Sequence, residues 1–167
     1  MRQSSAAVLN VVTPDDTRSI GRTLGRALST AGAGALVIGI EGDLGTGKTT
    51  LVGGVLAGVG LTGAVRSPTY TLIEPYEAAG RQLYHIDLYR LANAQEVEAL
   101  GIRDLLTTSS VLLIEWPSRA GRALPTADLD LFIEYVPGTE QGRVLTLRAG
   151  SSAGHKLVEQ ILAASSE

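Results

Sequence analysis

The residues best placed to do chemistry are contiguous: Gly42-Asp43-Leu44-Gly45-Thr46-Gly47-Lys48-Thr49. They fit G-x-x-x-x-G-K-[ST] at every fixed position, after the apolar run 35–41 and before a segment that reads as a helix. Three glycines let the backbone curl so that successive N–H groups point inward, the arrangement that cradles phosphate oxygens. The helix that follows adds the partial positive charge of its N-terminus. The residues expected to line a bound nucleotide are Asp43, Leu44, Gly45, Thr46, Gly47, Lys48, Thr49 and Thr50. Lys48 would reach the β- and γ-phosphates of the nucleotide, and the Thr49 hydroxyl would ligate Mg²⁺.

Phosphoryl chemistry also needs an acid near the metal and a group that orients the attacking oxygen. Glu115 ends the apolar run "VLLIE", the place of a Walker B acid, on a strand expected beside the one that feeds the loop. Asp87, in "HIDLYR", is the second candidate; on a hairpin strand it reads equally well as an outward polar residue. "RSPTY" (66–70) sits where a hydroxyl could contact Mg²⁺ or orient water, but its residues alone indicate a Ser-Pro turn. His85 reads as a strand histidine without chemistry, and Trp116 and Tyr70, Tyr76, Tyr84 and Tyr89 as packing residues. No His/Asp/Glu cluster has zinc spacing, and no serine sits in a nucleophile elbow.

The elements that must position these groups follow from periodicity and capping signals. Residues 6–12 read as a strand. Thr13-Pro14-Asp15-Asp16 starts a helix with a capping box, and Gly32 and Gly34 end it. Residues 35–41 form a buried central strand, and 47–59 the helix after the loop. Segments 69–77 and 81–90 have hairpin spacing. Asn93 to Glu96 caps a helix through Leu100, and 101–106 adds a further helical turn. A second buried strand covers 110–116, and a short helix 117–124. Strands at 129–135 and 143–149 flank a Pro-Gly turn, and a closing amphipathic helix carries Leu157, Val158, Ile161 and Leu162. The order predicts an α/β fold, a P-loop NTPase-like three-layer sandwich whose mixed sheet is parallel at its centre and antiparallel in an inserted β-hairpin.

Residues 1–167 form one domain in this reading, large enough for a substantial core. The chain is 44% hydrophobic and 19% charged, as ordinary globular proteins are, and its net charge of −3 supplies no basic field for nucleic acid or membrane. Arginine outnumbers lysine twelve to two, but the arginines are scattered. Without cysteine there are no disulfides or thiolate metal sites. The N-terminal apolar stretch is too short for a signal peptide, and a cytoplasmic location is the default expectation.

The ordered set "GDLGTGKTT", "SPTYTLIEPY", "YHIDLYRL", "GIRDLL" and "LLIEW" resembles the TsaE family, bacterial ATPases that support threonylcarbamoyladenosine formation on tRNA. The likeness is close over 42–116 and looser at the flanks, and it fades after Leu124. It implies strands sandwiched between helices and slow ATP hydrolysis by the isolated chain. It assigns Mg²⁺ to Thr49, Asp87 and Glu115, gives Ser67 and Thr69 a switch-like role, and includes Trp116 without a chemical reason. It also implies TsaB and TsaD as partners: ATP hydrolysis would reset their heterodimer, which would grip the tRNA. Lys48, Glu115, Asp87 and Thr69 are therefore the expected catalytic set. Two other readings share the loop. One is a small-molecule or nucleoside kinase, for which 117–122 offers only a short lid. The other is an ATP-gated binding module without turnover. A GTPase is disfavoured, because neither N-K-x-D nor T-K-x-D occurs.

Overall fold

The computed structural model describes residues 6–63, 65–68 and 70–166. The strands are β1 (Ala6–Val11), β2 (Leu36–Gly42), β3 (Ile73–Ala78), β4 (Arg81–Asp87), β5 (Ser110–Glu115), β6 (Leu129–Tyr135) and β7 (Arg143–Ala149). The helices are α1 (Pro14–Thr30), α2 (Lys48–Gly58), α3 (Ala94–Ala99) and α4 (Ser152–Ser165). One mixed sheet has the order β1-β7-β6-β2-β5-β4-β3. Its centre, β6-β2-β5-β4, is parallel, and the outer pairs β1/β7, β7/β6 and β3/β4 are antiparallel.

The hairpin is present, but it is more than an antiparallel insert. Its second strand, β4, pairs parallel to β5 and so extends the central sheet. Antiparallel pairing also closes the opposite edge, where β1 returns to lie on β7. Both hairpin strands are shorter than the β-rich sequence suggests. Leu72 has φ 64° and its N–H bonds the Pro68 carbonyl, so a turn occupies the segment before β3.

Local chemistry sets the other boundaries. Thr13 accepts from the Asp16 N–H while the Asp16 carboxylate accepts from the N–H of Thr13 and of Val12. The last of these bonds takes the Val12 amide, and β1 stops at Val11. A cap of this kind contributes about 1 kcal/mol. Helix α1 ends at Thr30, before either glycine, because Arg81 on β4 donates its guanidinium to the carbonyls of Ala31, Gly32 and Gly34. Asn93 caps α3, but the Glu96 carboxylate accepts from Ala92 rather than from the cap residue. The helical turns expected at 101–106 and 117–124 are 3-10 turns, at Ile102–Leu105, Pro117–Arg119 and Gly121–Ala123.

Alternation along β2 and β5 sends side chains into two cores. Ile38, Ile40, Val111 and Leu113 pack with α1, α2 and α4 through Leu24, Leu28, Leu51, Val55 and Ile161. Val37, Leu112 and Ile114 face the other way, onto Val97 of α3 and Ile102 of the first 3-10 turn. One face is thus covered by three helices, the other by a single six-residue helix and short turns.

Helices α1 and α2 touch backbone to backbone. Gly21 and Gly25 of α1 lie against Gly54 and Gly58 of α2, where a Cβ at Gly21 would collide with the Leu51 carbonyl and one at Gly54 with that of Arg18.

Candidate functional site

The site forms where three parallel strands end together. Strand β2 runs into the loop after Gly42, and Glu115, the last residue of β5, lies opposite Ile40 of β2 on one side and Asp87 of β4 on the other. Both acids therefore arrive from adjacent strand ends, and both are nearly excluded from solvent, Glu115 at 2% and Asp87 at 8% exposure.

Gly45 (φ 76°) and Gly47 (φ 110°) take left-handed backbone that L side chains rarely adopt. Gly47 caps α2 with no side-chain acceptor, so the first-turn N–H groups of an 11-residue helix face the loop. Thr46 pins the loop from within, donating its N–H and its hydroxyl to the Asp43 carbonyl. Lys48 is buried and folds back on the same loop, its Nζ donating to Gly42 O at 2.6 Å and Asp43 O at 2.8 Å. Its ammonium lies 4.1 Å from the centre of the Trp116 ring. Burial holds the Lys48 ammonium below its ordinary pKa, against the opposing pull of Glu115, Glu41, Asp87 and Asp43.

Thr49, in the first turn of α2, donates its hydroxyl to Glu115 Oε1 at 3.0 Å. Asp87 accepts the Tyr89 N–H at 2.9 Å. Burial raises the Asp87 carboxyl above its ordinary range; the Tyr89 bond opposes this, and the Glu115 charge adds to it. A cleft of about 390 Å³ lies over these groups, walled by Lys48, Thr49, Asp87, Glu115, Trp116 and Ser67. On the other side of the loop Thr46 and Thr50 line a smaller cavity of about 130 Å³, with Thr13, Thr17, Gln141 and Arg143.

The structure thus brings Lys48, Thr49, Asp87 and Glu115 together at one end of the Gly42–Thr50 segment, with Leu44, Gly45, Gly47 and Thr50 on the wall of the same cleft. Asp43 supplies carbonyl oxygen rather than its side chain, which is exposed. Ser67 reaches the cleft wall; Thr69 lies outside the described residues.

Two residues read as inert are in contact with the expected set. His85 is fully buried and its Nε2 lies 2.7 Å from Glu115 Oε1. The available signal was its spacing from Asp87: residues i and i+2 on a strand share a face. Trp116 is not a plain packing residue either. It adopts left-handed backbone (φ 59°), uncommon for a bulky side chain, and that turn sets its ring over Lys48 and 5.0 Å from Tyr89. Tyr70, at 84% exposure, packs into no core; its ring carries the Arg90 guanidinium instead.

Among the described residues no group of three or more His, Cys, Asp or Glu is arranged to hold a metal ion alone. Two carboxylates and a hydroxyl are hard oxygen donors, too few to enclose a cation but of the kind that suits Mg²⁺, which keeps several waters in its shell. No helix among the described residues is long and apolar enough to cross a membrane.

Fold and site together define a class: a mixed α/β protein whose parallel strands deliver a glycine-rich loop, a buried lysine and two acids to one cleft. The chain belongs to the TsaE family; the family model described as threonylcarbamoyl adenosine biosynthesis protein TsaE matches residues 11–145. The tRNA threonylcarbamoyladenosine biosynthesis protein TsaE of Haemophilus influenzae is 45% identical over 124 residues, covering 74% of this chain and 77% of that one. Its counterpart in Bacillus subtilis is 35% identical over 150 residues, 90% of each chain. The crystal structure of YdiB from Bacillus subtilis aligns over 99% of both chains with a TM-score of 0.76 and 25% identity.

Proposed function

We propose that this chain is a Mg²⁺-dependent P-loop ATPase that serves threonylcarbamoyladenosine formation on tRNA in the cytoplasm, engaging a TsaB–TsaD heterodimer and hydrolysing ATP to reset it. The observation that carries the reading is the Thr49–Glu115 hydrogen bond across the end of the loop. It joins the first turn of α2 to a strand-end acid, and Asp87 and Lys48 lie in the same cleft. In this reading the polyphosphate follows the N–H groups of residues 43–50, with its terminal phosphate toward Lys48 and the acids. The nucleoside end then points to the smaller cavity beside Thr13 and Arg143.

Each residue has a definable task. Lys48 exchanges the Gly42 and Asp43 carbonyls for phosphate oxygens, carrying full positive charge to where negative charge develops. Thr49 keeps its proton on Glu115 while a lone pair remains for the metal. Glu115 and Asp87 would hold the metal ion, and Trp116 roofs the lysine and limits solvent. Bound Mg²⁺ would supply Lewis-acid neutralisation of the phosphates. The kinase reading has less support, since 117–123 forms two 3-10 turns rather than a lid helix.

The test is phosphate release from ATP and from GTP by the chain alone, with the TsaB–TsaD pair, and with a panel of nucleosides. The proposal expects slow release from ATP that the protein pair changes. If the pair neither binds in Mg-ATP nor alters the rate, and a nucleoside does, the kinase reading replaces it.

A further inference from the structure

His85 is a polar side chain in an otherwise apolar part of the sheet, at 0% exposure, with Leu113 of β5 beside it in register. Burying an imidazole costs free energy unless it is hydrogen-bonded. Its one bond among the described residues is to Glu115; Nδ1 has no partner. An ionised carboxylate only accepts, so Nε2 is the donor in this contact.

Two donors converge on one carboxylate oxygen. His85 Nε2 lies 2.7 Å and Thr49 Oγ1 3.0 Å from Oε1, whereas Oε2 is 3.4 Å from the Thr49 hydroxyl and receives nothing from His85. We propose that His85 is a positioning residue for the nucleotide site: by holding Oε1 it presents Oε2 of Glu115 to the metal's water shell in a single orientation. This rests on the ATPase reading above and adds a residue to it. A glutamate reaches its task through rotatable bonds, and a buried donor on a neighbouring strand fixes them with no entropy to lose on loading. Partners of this kind typically change metal affinity or activity about 10–100-fold when removed.

The test compares His85→Leu, which deletes the donor, with His85→Gln, which keeps an N–H at similar reach. Mn²⁺ binding in the presence of ADP is read by the EPR signal of free Mn²⁺, alongside phosphate release as a function of Mg²⁺ and ADP affinity without metal. His85→Leu should weaken Mn²⁺ binding, and raise the Mg²⁺ needed for half-maximal rate, by about 10–100-fold. Metal-free ADP affinity should stay near wild type, and His85→Gln should recover most of the loss. Equal impairment of both variants, or wild-type Mn²⁺ binding by His85→Leu, overturns the proposal. If His85→Leu does not fold, imidazole ¹⁵N spectra of the wild type decide: a proton on Nε2 supports the bond, and one on Nδ1 alone overturns it. A wild type without Mg²⁺-dependent hydrolysis would instead overturn the ATPase reading.

Discussion

At the scale of single residues, Lys48 shows how the loop keeps its charge compensated. A buried ammonium without acceptors would be costly, and the two carbonyls of its own loop and the Trp116 ring supply that compensation. Lys48→Ala should lower ATP turnover by about 10²–10³, the usual cost of losing one preorganised electrostatic contact. Phosphate release at saturating ATP measures it, and a variant close to the wild-type rate would remove Lys48 from the mechanism. The lysine and its loop are legible in the sequence because the motif is local and its glycines state their backbone requirement. The His85–Glu115 contact is not, because thirty residues separate the partners and the pairing depends on which strands become neighbours. Trp116 escaped for a related reason: nothing in "IEWPS" announces a left-handed residue at the end of β5.

Among the elements, the contact between α1 and α2 is the least forgiving. Adding one methyl at Gly21 drives it into the Leu51 carbonyl, and backbone cannot swing aside as a side chain does. Overpacking of this kind typically costs about 1–3 kcal/mol. Gly21→Ala should therefore lower the melting temperature by about 2–12 °C at this chain length. Gly32→Ala is the control: no atom lies within reach of a Cβ there, and its melt should stay near wild type. Helix starts were readable because capping is carried by adjacent residues, as Thr13 and Asp16 demonstrate. Ends were less so. Residues 31–34 answer to Arg81, some fifty positions away, and "GIRDLL" has helical spacing in a stretch too short to complete an α-helix.

Over the whole molecule, the unequal covering of the sheet bears on acid stability. Asp130 on β6, facing Arg148 of β7 across the ladder, is half-buried. Burial raises its carboxyl above the ordinary range, with Arg148 opposing and Glu41 adding to the effect. Between the unfolded value near ~4 and this raised value the folded chain holds more protons than the unfolded one. Stability contributed by this group therefore falls as pH rises through that window and stays low above it. Asp130→Asn should stabilise the protein at neutral pH, with the advantage vanishing below about pH 4, as denaturant melts at both pH values would measure. A variant no more stable than wild type at pH 7 would show that the Arg148 pairing outweighs desolvation. The α/β class and the parallel centre were legible from two continuous apolar runs, 35–41 and 110–116, the pattern of strands buried on both faces. The far edge was not, because pairing of β1 with β7 joins residues more than 130 positions apart.

That edge has a consequence for the order in which the protein comes into being. Among the described residues strand β2 pairs only with β5 and β6, and β1 only with β7, so each has its sheet partners far along the sequence. Up to residue 109 a nascent chain holds the entire glycine-rich loop, both glycine-bearing helices and one local hairpin, but not Glu115 or any strand on which β2 can lie. The loop is thus made early and seated late. Until β5 and β6 emerge, α2 and its loop have no strand ends to anchor them, and the loop-closure entropy of these long-range pairings is met only once nearly the whole chain is available. The cleft that unites Lys48, Thr49, Asp87 and Glu115 is therefore complete only at the last stage of folding.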